Sequence, residues 1–392
     1  MKKLLILIPF LLFGEILSPL QKALLDKDLN KAIVSGDKLK DSWINPITMQ
    51  YKYNQTNQPN TLKKTNQFFI GINQPIFKSG AIFASIKYAK FLKDENIEKT
   101  KLQKATLIKQ AYEILFNIKK TEIAIKKQKL LIENAKIDIK RKKEQFLSGI
   151  IDSSFLDNAI INKNNLELAL NELELQKENL INNFKNLSDL DYKKVELPKF
   201  ELISKEKYLN NLNIKIAKKD IEVKKALKYM NIGNSLLSVD FIANWNYIDT
   251  KYNNSSPIYQ NDKDNFYNIG FSITIPLNIN TLKTIQEAKI DYLKSTLKYK
   301  DEILKATNDY DTKIKTIQNL DKKITIYNST IKMYNSLIET TKDNIKAGVN
   351  TILDLQNLEN SLKIAKLNKK NIEFDKQIEI LNLYYKVKGF DE

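Results

Sequence analysis

Residues 303–348 read ILKATNDYDTKIKTIQNLDKKITIYNSTIKMYNSLIETTKDNIKAG, with no proline and no glycine before the last position. Ile303, Tyr310, Ile317, Ile324, Ile331, Ile338 and Ile345 fall every seven residues. A sustained seven-residue apolar repeat is the mark of a coiled-coil seam on a long helix. The same pattern occurs earlier in the chain, at Ala111, Ile118, Ile125, Ile132, Ile139 and Phe146. Both stripes stop three residues before a glycine, Gly149 or Gly348, and the two glycines lie 199 residues apart. Ala89 and Ala288 keep that offset. The chain is an internal duplication.

Each long segment, about Ile82 to Leu147 and about Leu282 to Ala347, lacks Gly and Pro inside. At 1.5 Å per residue each makes a helix of about 100 Å. A short polar turn follows each glycine, then a returning apolar pattern: Phe155, Leu166, Leu173 and Leu180 in one copy, Leu355, Leu362 and Leu367 in the other. Each half is therefore a helical hairpin, closed where glycine supplies the positive φ of a helix end. The first helix carries a second stripe, Phe116, Ile123, Leu130 and Ile137, which predicts a neighbour on each side. The stretch 187–200 links the halves, and a further helix is expected from about Leu209 to Met230.

Two regions change period. Ile47, Met49, Tyr51 and Tyr53 alternate with polar residues, and Phe68, Ile70 and Ile72 follow a turn at Pro59. Later, Leu237 to Tyr247 and Tyr267 to Ile275 alternate in the same way, around a long polar loop expected from Asp249 to Asp264. Period-two alternation means a strand with one apolar face. The four strands are expected at about 47–55, 66–74, 237–248 and 266–275, with Pro75 and Pro276 ending the second of each pair. Aromatic residues near the strand ends (Trp245, Tyr247, Tyr267) fit a membrane interface. Four strands cannot close a transmembrane barrel, so copies must assemble; eight strands from two chains or twelve from three both satisfy the spacing.

The 392-residue chain has no Cys and no His, which removes disulfides, thiolate chemistry, Cys/His zinc sites and His-based triads. No P-loop, G-x-S-x-G or HExxH occurs. No enzyme, cofactor or metal is expected. The formal charge is +18, but Arg141 is the single arginine among 64 basic residues and the lysines are dispersed, so the excess reads as solvated surface rather than a nucleic-acid site. Residues 1–18, with Lys2-Lys3 before the apolar run Leu4–Phe13, read as an export signal too short to span a bilayer. The halves then fall at 19–200 and 201–392.

Two motifs carry a resemblance. One is strand–Pro–helix, in Ile70-Gly-Ile-Asn-Gln-Pro-Ile-Phe77 and Phe271-Ser-Ile-Thr-Ile-Pro-Leu277. The other is the tip, Gly348-Val-Asn-Thr-Ile-Leu-Asp-Leu355 and Gly149-Ile-Ile-Asp-Ser-Ser-Phe-Leu-Asp157, where the first copy reads as two residues longer. With matched spacing in both halves, the chain resembles the TolC-like outer-membrane factors (outer-membrane efflux proteins). The resemblance implies a mainly α fold: tandem coiled-coil hairpins forming a periplasmic α-barrel tube, with four strands per chain in a trimeric twelve-stranded outer-membrane β-barrel. It implies an exit duct of a tripartite efflux or type I secretion system, working with a periplasmic adaptor and an inner-membrane pump. By the same resemblance Gly149, Ser153, Gly348 and Thr351 meet the adaptor. Asp354 matches an acidic position that rings the entrance in some members. Asn357 stands at the next such position, and Asn350 where some members carry arginine, so at most one acidic ring is implied. Asp354 reads equally as a carboxylate stabilising a helix N-terminus. The competing expectation is a periplasmic coiled-coil scaffold or adaptor that never inserts.

Overall fold

The computed structural model describes residues 16–59, 61–254 and 260–388. Most of the expected export signal, residues 1–15, lies outside them. Helix α1 (Pro19–Lys40) precedes two strands, β1 (Thr48–Gln58) and β2 (Thr61–Phe77). The first hairpin is α2 (Ala81–Leu147) with α3 (Ser153–Lys185). A short helix α4 (Lys205–Tyr208) and α5 (Leu212–Asn234) lead to β3 (Ser238–Asn254) and β4 (Gln260–Thr274). The second hairpin is α6 (Thr281–Lys346) with α7 (Ile352–Lys388).

Helix α1 has no counterpart in the periodicity argument. Its start is nonetheless written in the sequence: the Ser18 hydroxyl accepts from the Gln21 N–H, and Pro19 occupies the first helical position, where its missing donor costs nothing. The strands also run longer than apolar alternation shows. The expected loop 249–264 is mostly ladder, with Asp249–Tyr252 paired to Gln260–Lys263. Backbone pairing continues after the apolar face ends, because hydrogen bonds do not depend on side-chain polarity. Pro75 does not end β2. The strand reaches Phe77, with a register irregularity between Pro75 and Phe77 where the proline has no N–H to give.

The described residues fall into two compact units, each drawing on both halves of the sequence. The first contains residues 100–213 and 303 onward, together with the start of α1. Its helices are ordered α3–α2–α7–α6, as the bridging side chains show. Glu122 on α2 meets Lys177 on α3, and the Gln128 amide donates to the Leu166 carbonyl. Across α2–α7, Lys120 pairs with Asp375 and Asn360 donates to Asn134. Across α7–α6, Lys376 pairs with Asp321 and Glu379 with Lys313. Helix α2 thus has a neighbour on each side, and both of its stripes supply core: Ala111 and Ile118 from one, Phe116 and Ile123 from the other, all buried.

The linker between the halves is pinned into this unit. Phe200 is buried against the rings of Tyr112, Phe116 and Tyr384, at centroid distances of 5.8, 6.4 and 5.3 Å, and its N–H donates to Gln377. Burial pushes the Tyr112 hydroxyl up to about 12. Downstream, the fully buried Tyr208 donates to Asp309 at 2.5 Å, and Lys386 donates to both, at 3.1 and 3.0 Å. This polar knot joins α4, α6 and α7.

The second unit contains residues 28–99 and 214–302. Its four strands form one antiparallel sheet in the order β1-β2-β3-β4, so β1 and β4 each present one edge with no partner strand among the described residues. No described helix is long and apolar enough to cross a membrane.

Candidate functional site

Two surfaces stand out: the hairpin tips and the sheet. At the first tip Gly149 has φ +72°, its N–H donates to the Phe146 carbonyl, and the Ile150 N–H reaches back to Gln145. At the second, Gly348 has φ +75°, and the same two bonds run from Gly348 to Ile345 and from Val349 to Asn344. This paired pattern is the Schellman helix end, which requires a residue in the left-handed region. Nothing lies within 4 Å of where a Cβ would stand at either glycine, so conformation, not space, selects glycine there.

The returning helices begin at Ser153 and Ile352, which keep the 199-residue offset. The two turns are therefore equal in length, contrary to the two-residue difference read from the motif. The Leu-Asp pair sits two residues deeper in α3 instead. Asp152 caps α3 by accepting from the Ser154 N–H, and Ser153 donates to the same carboxylate. Thr351 caps α7: its hydroxyl oxygen accepts from the Asp354 N–H, while Asp354 accepts from the Thr351 N–H at 3.0 Å and hydroxyl at 2.8 Å. This is a capping box with Asp in the usual Glu place.

The other Asp354 oxygen accepts from Arg141 on α2 at 2.9 Å. The basic partner absent at Asn350 thus comes from the other hairpin, and from the chain's single arginine. Sequence reasoning noted Arg141 only as a rarity; its uniqueness was the available signal. The Thr351 N–H, then its hydroxyl, hold the Asp354 carboxyl below the ordinary carboxylate value, with Arg141 adding to them against a small opposing effect of burial. Asn350 lies in the turn and also lowers it, whereas the Asn357 carbonyl serves the Ser361 hydroxyl one turn on. Around both tips apolar side chains stand in the open: Leu147, Ile150 and Phe155 at one, Val349 and Ile352 at the other.

On the sheet, cross-strand partners form continuous apolar rows on one face. Tyr51, Phe68 and Tyr247 make one row; Met49, Ile70, Trp245 and Tyr267 the next. Ile72, Ala243 and Ile269 follow, then Phe241 and Phe271, then Val239 and Ile273. Phe68 meets Trp245 edge-on, and Phe271 is 70 % exposed. The opposite face is amide-rich: Gln67 donates to Asn246, with Gln50, Asn244 and Asn268 nearby in the ladder. From Val239 to Tyr247 the apolar band covers about 26 Å along the strand. At the tilt of a membrane barrel that is about 20 Å of height, most of the roughly 25 Å apolar band such barrels present. Among the described residues no cluster of acidic side chains gathers to hold a metal ion.

Comparison with known proteins covers both surfaces. Residues 209–385 match the family described as outer membrane efflux protein. Among solved structures, the CmeC outer membrane channel of Campylobacter jejuni aligns with a TM-score of 0.76 at 15% identity, over 96% of this chain and 84% of that one. The outer membrane protein VceC of Vibrio cholerae aligns at 0.71 and 12% identity, over 94% and 95%. The open state of the MtrE outer membrane channel of Neisseria gonorrhoeae aligns at 0.62 and 13%, over 96% and 87%. At these identities the likeness establishes the fold. No curated protein matches by sequence.

Proposed function

We propose that this chain, which resembles the outer membrane efflux proteins over residues 209–385 and has the fold of outer membrane channels along its length, is one of three identical subunits of an outer-membrane exit duct. The observation that carries the proposal is the sheet: an exposed apolar face that supplies most of a membrane barrel's height, with an edge on β1 and another on β4 that no described strand pairs. In lipid those edges must pair, and pairing β4 of one copy with β1 of the next satisfies both. Three copies give twelve strands.

The helical unit has the same arrangement of edges. In the order α3–α2–α7–α6 the outer helices are α3 and α6. Each leaves apolar side chains uncovered at seven-residue spacing: Ile161, Leu168 and Leu175 on α3, Ile326 and Met333 on α6. A neighbouring copy would bury them against one another.

Transport through such a duct is passive. An inner-membrane pump supplies the energy, and a periplasmic adaptor meets the tips around Gly149, Ser153, Gly348 and Thr351. The exposed apolar residues beside both glycines suit that contact. The Arg141–Asp354 bridge ties α2 to α7 next to the entrance and leaves Asp354 only partly available to passing ions. The test is the protomer count of the detergent-extracted protein by light scattering with detergent correction. Three protomers are expected; a soluble monomer or dimer needing no detergent would overturn the proposal in favour of a periplasmic scaffold.

A further inference from the structure

We propose that the sheet end remote from α2 and α6 binds the phosphate groups of outer-leaflet lipid, through Lys64, Lys251 and Lys263. The proposal rests on the reading that the sheet inserts in the outer membrane, and adds what its rim recognises. The apolar face ends at the row Tyr51–Phe68–Tyr247. The next row on that face is Tyr53, Asn66, Asp249 and Lys263; the one beyond is Gln55, Lys64, Lys251 and Asn261. Lys64 and Lys251 are direct cross-strand partners. An anion held beside two ammonium groups so placed lowers their mutual repulsion.

Charge on this rim is sorted by face. Over residues 52–58, 61–66, 248–254 and 260–266, the amide-rich face carries Lys52, Lys63, Asp262 and Asp264, two positive and two negative, a net of zero. The apolar side carries Lys64, Lys251 and Lys263 against Asp249, three positive and one negative, a net of +2. A merely soluble rim would have no reason to keep its excess on the lipid-facing side. Depth agrees. The two rows lie about 5 and 10 Å above the last apolar row at barrel tilt, where a bilayer places its polar headgroup layer. Lysine stems can lie over the aromatic rows below while the ammonium reaches the phosphate. Lys251 and Lys263 are both exposed.

The experiment uses the full assembled protein in phosphatidylcholine nanodiscs doped with diphosphoryl lipid A or its dephosphorylated form. Lipid A retained per assembly is read by mass spectrometry. The wild type should retain the diphosphoryl form severalfold above its bulk proportion and the dephosphorylated form at bulk proportion. Lys251→Gln with Lys263→Gln should bring both to bulk, while Lys251→Arg with Lys263→Arg keeps the enrichment. Equal enrichment in the Gln variant, or of the dephosphorylated lipid, overturns the proposal. Insertion into undoped phosphatidylcholine is measured first, for wild type and variants. Wild type that fails there overturns the membrane reading itself, whereas normal insertion without lipid A enrichment overturns only the rim.

Discussion

Asp354 spends both carboxylate oxygens inside the chain, one on Thr351 and one on Arg141. Two substitutions should therefore move ion block of reconstituted channels in opposite directions. Asp354→Asn is expected to weaken block by divalent cations, and Arg141→Ala to strengthen it by unmasking the carboxylate; no change in either would remove Asp354 from the entrance. The bridge is partly exposed, so losing Arg141 should cost at most about 1 kcal/mol of stability. Since the Asp354 carboxyl is held below its ordinary value, its stabilisation is fully present above that value and lost as pH falls through the lowered one. The difference in melting temperature between wild type and Asp354→Asn should stay constant from neutral pH down to about 4 and shrink below it. The Tyr208 knot offers a second test. Burial raises the Tyr208 hydroxyl, with Asp309 reinforcing it. Burial alone would raise the Asp309 carboxyl, but the Tyr208 and Lys386 hydrogen bonds outweigh it and leave it lowered. Tyr208→Phe removes the hydroxyl from both charged partners and should cost about 1.5–3 kcal/mol, seen as a lower denaturation midpoint. None of these partnerships follows from sequence spacing, because Arg141 and Asp354 are 213 residues apart and Tyr208 and Lys386 are 178.

The two helix ends at Gly149 and Gly348 make a matched pair at the scale of elements. Either glycine changed to alanine forces a Cβ into the left-handed region, at a cost of about 1 kcal/mol. Thermal melts of the two single variants should therefore agree closely. The long helices, the hairpin turns and the period-two strands were legible because each rests on a local rule: heptad spacing, a C-terminal glycine, alternation. What escaped was where local rules fall silent. The polar continuation of β3 and β4 is held by ladder bonds without an apolar pattern, and α1 has no clear stripe. The equal length of the two tips was hidden because the Leu-Asp pair drew the alignment away from the caps Asp152 and Thr351. If the proposed trimer forms, the uncovered stripe Ile161, Leu168 and Leu175 on α3 predicts that Leu168→Asp abolishes it while leaving helix content intact. Light scattering with circular dichroism would check both at once.

Over the whole molecule, sheet and helical unit repeat one plan: inner partners from the two halves meet within the chain, β2 with β3 and α2 with α7, and in the proposed assembly the outer elements would meet a second copy. Unpaired edges call for assembly, the proposed trimer would close them in twelve strands, and a sealed barrel should show heat-modifiable mobility in detergent gels. The chemistry at the tips was less legible than the architecture: the resemblance pointed to Asp354 and met asparagine at 350 and 357, and no spacing rule pairs Asp354 with Arg141. Duplication also has a consequence for symmetry. Shifted by 199 residues, Arg141 becomes Thr340 and Asp354 becomes Phe155, so the twin of the charged bridge would be a hydroxyl beside an aromatic ring. A ring of six hairpins would look sixfold to its backbone and only threefold to its charges. Its junctions would alternate between riveted and plain, and a mechanical load shared equally round the ring would part the plain ones first.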